Sequence, residues 1–185
     1  MTRWGILGPG RIAHKFVQDL LTLPDAQLYA VASSDQERAN AFAQQYGAIH
    51  ALGSYDDQLT LPDLDVVYVA TPHVLHHENA LLLLNRGVAV LGEKPFAMNS
   101  AQVNEMVDLA RTKQVFLMEA LWSRFMPVLD APKPSSTTAR SEPSPVFGPT
   151  SVLRPRFSPT VACTINSWGA ALCSISVFIR FFSRT

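Results

Sequence analysis

The sequence predicts an α/β fold built on a doubly wound parallel sheet over residues 1–130. Six short apolar runs alternate with segments in which apolar residues recur at helical spacing. The first run leads into a glycine-containing turn, and the fifth is followed by the triplet Glu93-Lys94-Pro95. Because the carboxyl ends of parallel strands lie at one edge of a sheet, we expect both motifs to meet at that edge.

In the first half of the chain, apolar runs at residues 4–7, 28–32 and 48–51 predict three strands. Apolar residues recur at helical spacing from Ile12 to Leu21, which predicts the first helix. A second helix is predicted from Gln36 to Tyr46, where Gly47 ends it.

In the second half, strands are predicted at residues 64–70, 88–91 and 115–118. The run at 64–70 is nearly continuous in β-branched and aromatic residues, as expected for a strand whose two faces are both covered. Helices are predicted at about residues 77–86, and from a cap at Asn99 or Ser100 through Ala110.

The turn after the first strand, GPGRIA at residues 8–13, is typical of dinucleotide binding. Gly8 allows a tight turn, and Gly10 allows the backbone to approach a pyrophosphate at the positive end of the next helix. Arg11 and Ile12, which begin that helix, are candidate cofactor-binding residues with Gly8 and Gly10. Ala13 is small enough for the helix to pack closely on the strand. Together with the alternating strands, the turn predicts a Rossmann fold that binds a dinucleotide.

Residues after the second strand bear on the choice of cofactor. Asp35 lies about twenty residues past the turn, where a carboxylate binds the ribose 2′-hydroxyl of NAD. Ser33, Ser34 and Arg38 could instead hold the 2′-phosphate of NADP. In a third interpretation, Asp35 only caps the next helix and Arg38 is solvated. The sequence leaves the three open.

The triplet Glu93-Lys94-Pro95 after a buried strand, together with the glycine turn, resembles the Gfo/Idh/MocA oxidoreductase family. The run LMEALWSRFMP at residues 117–127 is similar to the branch of that family that contains dihydrodiol and xylose dehydrogenases. The resemblance covers about residues 3–130. It implies hydride transfer between a nicotinamide cofactor and an alcohol, diol or aldose, with NADP as the cofactor and NAD as the alternative.

The resemblance also implies roles for single residues. Lys94 is the expected catalytic residue, which polarises a carbonyl or stabilises an alkoxide, with burial lowering its pKa into the working range. Glu93, which also lies at the cofactor, is expected to fix the lysine or the turn, and the bond before Pro95 is a candidate for the cis form. Trp122 and Arg124 are expected to border the substrate cleft, although a core tryptophan and an exposed arginine are the alternative.

Histidines cluster after the fourth strand, where Thr71-Pro72 is followed by His73, His76 and His77. A metal centre is one interpretation, but no cysteine or acidic pair accompanies them at ligand spacing, so we predict no metal. The resemblance implies that Thr71, Pro72 and His76 lie over the cofactor. A capping or packing role for His76 stays open.

Composition changes near residue 131. Residues 1–131 contain nine of the 15 Lys and Arg residues and 14 of the 15 Asp and Glu residues, a net charge of −5, so residues 132–185 carry +5. Seven of the 13 prolines and both cysteines also lie after residue 131. We therefore predict that residues 131–185 form an irregular or disordered tail.

The tail also admits a genetic explanation. Members of the resembled family continue with a second α/β domain that contains a run similar to GGGALLDIG. The codons allowed for residues 162–179, read one nucleotide earlier, permit this run in order, and Trp168-Gly169 forces its first glycine. This predicts that the tail is an out-of-frame translation of the missing domain. A genuine basic, disordered tail is the competing interpretation.

The sequence thus predicts an NAD(P)-dependent oxidoreductase that is inactive as this chain, or alternatively a non-catalytic dinucleotide-binding module. Tail arginines could suggest a nucleic-acid binder, but no aromatic-basic motif supports it. The expected partner is a small-molecule substrate, with neither nucleic acid nor membrane. Members of the family are often homo-oligomers, although the usual interface domain is missing. Because no signal peptide or membrane span is predicted, we expect a cytoplasmic protein.

Overall fold

The computed structural model describes residues 1–58 and 61–121. The predicted tail and its reading-frame interpretation lie outside the described residues. Six strands are present in the described part: β1 Thr2–Leu7, β2 Ala26–Ala32, β3 His50–Leu52, β4 Val66–Val69, β5 Ala89–Gly92 and β6 Leu117–Glu119. The α-helices are α1 Arg11–Leu20, α2 Gln36–Tyr46, α3 Tyr55–Gln58, α4 His76–Asn85 and α5 Ser100–Lys113, and a short 3-10 helix spans His73–Leu75.

All six strands are parallel and lie in the order β3-β2-β1-β4-β5-β6. From β1 the chain builds outward through β2 to β3, and it then crosses to the other side of β1 to form β4. The strand order therefore reverses between β1 and β4, and open parallel sheets bind ligands in the crevice at the carboxyl ends beside such a reversal. The predicted fold class is confirmed.

The sheet is covered on both faces, as alternate residues of β4 illustrate. Val66 and Tyr68 pack into one core with Phe16 of α1. Val67 and Val69 pack into the core on the opposite face, to which α4 and α5 contribute. Because neighbouring side chains of a strand point to opposite faces, a strand buried on both sides is apolar throughout. This explains why the apolar run of β4 has no polar alternation.

Four strands, β3, β4, β5 and β6, begin later than the sequence predicts. For β3 and β6 the reason is that the first residues of each run hydrogen-bond to the end of the preceding helix. After α2, the Ala48 N–H donates to the Ala43 carbonyl at 3.1 Å, and after α5 the Val115 N–H donates to the Ala110 carbonyl at 3.0 Å. These bonds satisfy carbonyl groups at the helix ends. As a result, β3 and β6 each start two residues after their predicted positions. The short helix α3 and the 3-10 helix were not predicted.

Gly8 directly follows β1, beside the residues that follow β4. Its φ angle is 86°, and its N–H donates to the Ala32 carbonyl at 3.0 Å. A Cβ atom at this position would lie 2.8 Å from the carbonyl oxygen of Ala70 and 2.9 Å from the backbone nitrogen of Thr71. Only glycine fits this position without moving the backbone that follows β4.

We predict that Gly8→Ala destabilises the fold more than Gly87→Ala does. Gly87 has a similar φ angle of 78°, but a Cβ atom there would meet no atom within 4 Å. Gly87→Ala should therefore lose only the conformational term of about 1–2 kcal/mol. Gly8→Ala should lose about 1–3 kcal/mol more, because it also forces a backbone clash. Urea unfolding of both variants measures the difference, and equal losses would contradict the steric argument.

Candidate functional site

The carboxyl edge of the sheet gathers the turns that follow four strands. The glycine turn follows β1, Ser33 follows β2, Thr71 follows β4 and Glu93 follows β5. The strand order sets β1, β4 and β5 side by side, with β2 on the other side of β1. Four segments that are distant in the sequence therefore line one crevice.

The glycine turn presents an open helix N-terminus. Gly10 is the N-cap of α1, makes no side-chain cap, and leaves space in which a Cβ atom would meet nothing within 4 Å. The first turn of α1 contains no acidic residue, and Arg11 and Ile12 are exposed. Uncapped backbone N–H groups at the positive end of a helix bind phosphate oxygens. The turn therefore fits a pyrophosphate.

At the end of β2, Asp35 acts as the cap of α2. Its Oδ1 atom accepts hydrogen bonds from the backbone N–H groups of Glu37 at 2.9 Å and Arg38 at 3.3 Å. The Asp35 N–H donates to the Oγ of Ser33, which is buried, at 3.2 Å. Ser34 and Arg38 are exposed. The capping role allowed by the sequence is present, and the serine and arginine side chains face solvent beside it.

His76 connects two of the turns. It is the first residue of α4 and is buried, with its Nε2 atom 2.8 Å from the Thr71 carbonyl and its Nδ1 atom 2.9 Å from the Pro95 carbonyl. Each ring nitrogen thus lies within hydrogen-bond distance of a backbone carbonyl, one from each turn. The Oγ1 of Thr71 accepts a further bond from Asn79 at 3.1 Å. The turn after β4 and the turn after β5 are thus tied through one ring.

Glu93 is held by both oxygens of its carboxylate. The Tyr68 hydroxyl donates to Oε1 at 2.5 Å, and the Lys94 backbone N–H donates to Oε2 at 3.1 Å. Burial, and then the negative charge of Glu93 and the hydrogen bond to it, raise the pKa of Tyr68 far above its usual value, so this hydroxyl stays protonated. Glu93 thus contacts the backbone N–H of Lys94, and its role at the cofactor stays a prediction.

Lys94 itself is exposed, which corrects the expectation that it is buried. It follows β5 at the edge of the sheet, beyond the two cores, and nothing in residues 1–58 and 61–121 covers its side chain. The Lys94-Pro95 bond is cis, as the sequence suggested. Beyond the proline, the Phe96 N–H donates to Oε1 of Glu119 at 3.1 Å.

Two of the proposed site residues, Trp122 and Arg124, lie outside the described residues. Every other residue that the sequence singled out belongs to one of the four turns or to the helix that follows it. Sequence reasoning missed Tyr68 and Glu119, whose polar atoms hold the lysine turn. A signal was available for Glu119, because a carboxylate that ends a strand of a parallel sheet lies at the ligand edge.

Within residues 1–58 and 61–121, no three side chains among histidine, cysteine, aspartate and glutamate come together as metal ligands would. No helix in the same residues combines the length and apolar character needed to cross a membrane.

Residues 2–121 match the Gfo/Idh/MocA model, described as an oxidoreductase family with an NAD-binding Rossmann fold. The chain belongs to this family. The resemblance drawn from the glycine turn and the Glu93-Lys94-Pro95 triplet is confirmed. The described residues accordingly form the Rossmann domain of a Gfo/Idh/MocA protein.

Curated relatives in the Gfo/Idh/MocA family include trans-1,2-dihydrobenzene-1,2-diol dehydrogenases. The enzyme of Xenopus laevis is 50% identical over 131 residues, which cover 70% of this chain and 40% of that protein. The enzyme of Homo sapiens is 44% identical over 131 residues, with 70% and 39% covered. The chain thus spans about two fifths of the length of the curated relatives it matches.

Solved structures give the same picture of the Gfo/Idh/MocA fold. KijD10, a 3-ketoreductase from Actinomadura kijaniata in complex with TDP-benzene and NADP, aligns with a TM-score of 0.67 and 31% identity, covering 70% of this chain and 41% of that chain. A probable dehydrogenase from Thermotoga maritima aligns with a TM-score of 0.64 and 27% identity, covering 66% and 37%.

We predict that Gly10→Val weakens dinucleotide binding and spares the fold. A Cβ atom at Gly10 would meet no protein atom within 4 Å, so the folding free energy should change by less than about 1 kcal/mol. The valine side chain would occupy the space through which the pyrophosphate approaches the backbone, and affinity should fall at least about tenfold. Titration with NADP and NAD measures the loss of affinity, and urea unfolding of the same variant measures the change in stability. Unchanged affinity for both dinucleotides would refute the assignment of the turn.

Proposed function

We propose that this chain carries the cofactor-binding and lysine-bearing part of an NADP(H)-dependent oxidoreductase that acts on an alcohol, diol or aldose. The observation that carries the proposal is the connection between the two motifs. Gly8 leaves no room for a Cβ atom beside the backbone of Thr71, and the His76 ring contacts the carbonyls of Thr71 and of Pro95, the residue after Lys94. The proposed phosphate-binding turn and the exposed lysine are thereby held at a fixed position relative to each other, as hydride transfer to a bound substrate requires.

Lys94 would act on the substrate oxygen. When bound, the nicotinamide supplies or accepts the hydride. The Lys94 ammonium would donate a hydrogen bond to the substrate carbonyl during reduction, or stabilise the alkoxide during oxidation. Its exposure at the edge of the sheet leaves the ammonium accessible to a substrate above the crevice. Trp122 and Arg124 stay proposed as substrate contacts.

NADP is the cofactor that this site supports best. The Asp35 carboxylate is engaged as the cap of α2, whereas the side chains of Ser34 and Arg38 are exposed beside it. A guanidinium forms paired, charge-assisted hydrogen bonds with a phosphate, which suits the 2′-phosphate of NADP. KijD10, the aligned ketoreductase, was solved with NADP.

We predict that Arg38→Ala lowers the affinity for NADP and not for NAD. Loss of a charge-assisted contact to the 2′-phosphate should raise the Kd for NADP about tenfold, while the Kd for NAD stays within about twofold. Arg111→Ala, which removes an exposed arginine from α5, is the matched control. Isothermal titration calorimetry with each dinucleotide measures both Kd values for each variant and for the parent. An equal loss for the two would count against a 2′-phosphate contact.

We predict that Lys94→Ala lowers kcat about 100-fold while the Kd for NADP changes less than about threefold. The physical reason is that the ammonium acts on the substrate oxygen and not on the pyrophosphate. The variant is made in a chain whose reading frame is restored after residue 130, and a panel of aldoses and vicinal diols supplies the substrate. Lys113→Ala, at the exposed end of α5, is the matched control. A kcat within threefold of the parent would show that Lys94 is not catalytic.

A second candidate function is dinucleotide binding without turnover. The length of the match favours it, because the matched residues make up only 40% of the Xenopus laevis dehydrogenase. The 185-residue chain and the frame-restored chain, assayed side by side, separate the candidates. The oxidoreductase proposal expects turnover only in the restored chain. Binding in both and turnover in neither would favour the binding module, and equal turnover in both would overturn the out-of-frame interpretation.

A further inference from the structure

Glu119 is the last residue of β6 and lies beside the end of β5. It pairs with Gly92 across the sheet, and the next residue, Ala120, donates its N–H to the Gly92 carbonyl at 2.7 Å. From this position the Glu119 side chain reaches over the turn after β5 and accepts the Phe96 N–H at 3.1 Å. Phe96 is two residues beyond Lys94, on the far side of the cis proline.

The turn that carries Lys94 is held largely by side chains. Glu93 accepts the Lys94 N–H before the proline, the His76 ring contacts the Pro95 carbonyl, and Glu119 accepts the N–H of Phe96 after it. Glu93 is part of the turn and His76 approaches from α4, so Glu119 is the member of the three that joins the turn to β6.

The direction of Lys94 depends on this backbone. Within residues 1–58 and 61–121 its exposed ammonium makes no hydrogen bond or ion pair, so no side-chain contact there aims it. A shift of the turn would move the ammonium directly, and catalytic groups lose much of their effect when misplaced by about 1 Å. A hydrogen bond to an ionised carboxylate is stronger than one to a neutral acceptor, which suits a restraint of this kind.

We infer that Glu119 is a positioning residue for Lys94, acting through the N–H of Phe96. The inference rests on the proposed function, because it concerns the lysine that would meet the nicotinamide and substrate. Glu119 itself touches neither in this assignment; it fixes the turn from the neighbouring strand.

The test compares Glu119→Gln with Glu119→Met in the full 185-residue chain. The two side chains are similar in length, but glutamine keeps an oxygen that accepts the Phe96 N–H and methionine offers only a weak sulfur acceptor. Glu119→Ala is a second non-accepting variant in case methionine is not tolerated. Glu78→Ala, which removes an exposed carboxylate from α4, is the control, and circular dichroism and thermal unfolding verify that each variant folds.

Two readouts are used, and neither needs turnover. Amide hydrogen exchange at Phe96 reports the hydrogen bond and should accelerate at least about tenfold in Glu119→Met, but much less in Glu119→Gln. Acylation of Lys94 by an amine reagent, with and without saturating NADP, reports how well the dinucleotide shields the lysine. Shielding should fall at least about fivefold in Glu119→Met, with the Kd for NADP within about threefold.

The outcomes separate this inference from the proposed function. If the exchange rate at Phe96 is unchanged in both Glu119→Met and Glu119→Ala, the inference is overturned. It is also overturned if exchange is faster but NADP shields Lys94 as well as it does in the parent chain. Loss of shielding in Glu119→Gln equal to that in Glu119→Met would also overturn it, because the accepting oxygen would then be irrelevant. If the parent chain binds neither NADP nor NAD, the proposed function fails and the inference fails with it.

Discussion

The absence of a side chain at Gly8 is the constraint on which the site depends. The backbone after β1 approaches Ala70 and Thr71 so closely that a Cβ atom would come within 3 Å of both. This approach occurs where the strand order reverses, between β1 and β4. It sets the start of α1 against the turn after β4, and so fixes the helix N-terminus relative to the rest of the carboxyl edge. A larger residue would separate the two halves of the sheet at the point where a ligand binds.

From that contact, a continuous set of interactions reaches the lysine. Thr71 meets His76 at 2.8 Å, and His76 meets the Pro95 carbonyl at 2.9 Å. On the other side, Glu93 and Glu119 hold the N–H groups before and after the proline. The glycine turn and the lysine turn are therefore joined by one set of close contacts. Under the proposed function, such a connection lets binding energy at the phosphates orient groups at the reacting end.

The hydrophobic core also contributes to the site. The Phe16 ring of α1 stacks on the Tyr68 ring at 3.9 Å, and Trp4 of β1 packs against Phe16 at 5.5 Å. The hydroxyl of Tyr68, at the end of the stacked ring, donates a hydrogen bond to Glu93. In a low-dielectric setting a hydrogen bond to a carboxylate is strong, and leaving either partner unsatisfied is costly. The position of the lysine turn is thus coupled to the packing of α1 on the sheet.

The sequence by itself determined the parallel sheet, because the spacing of its apolar runs is local. The glycine turn and the lysine triplet, by their resemblance to a known family, also determined the family. The sequence did not decide the role of Asp35, whose cap geometry appears only once α2 is formed. Nor could it show that Lys94 is exposed, or that Tyr68 and Glu119 hold its turn. These partners lie 25 and 23 residues from the groups they bind. Local patterns specify strands and helices, but only the order of strands in the sheet brings such distant polar groups within hydrogen-bond distance.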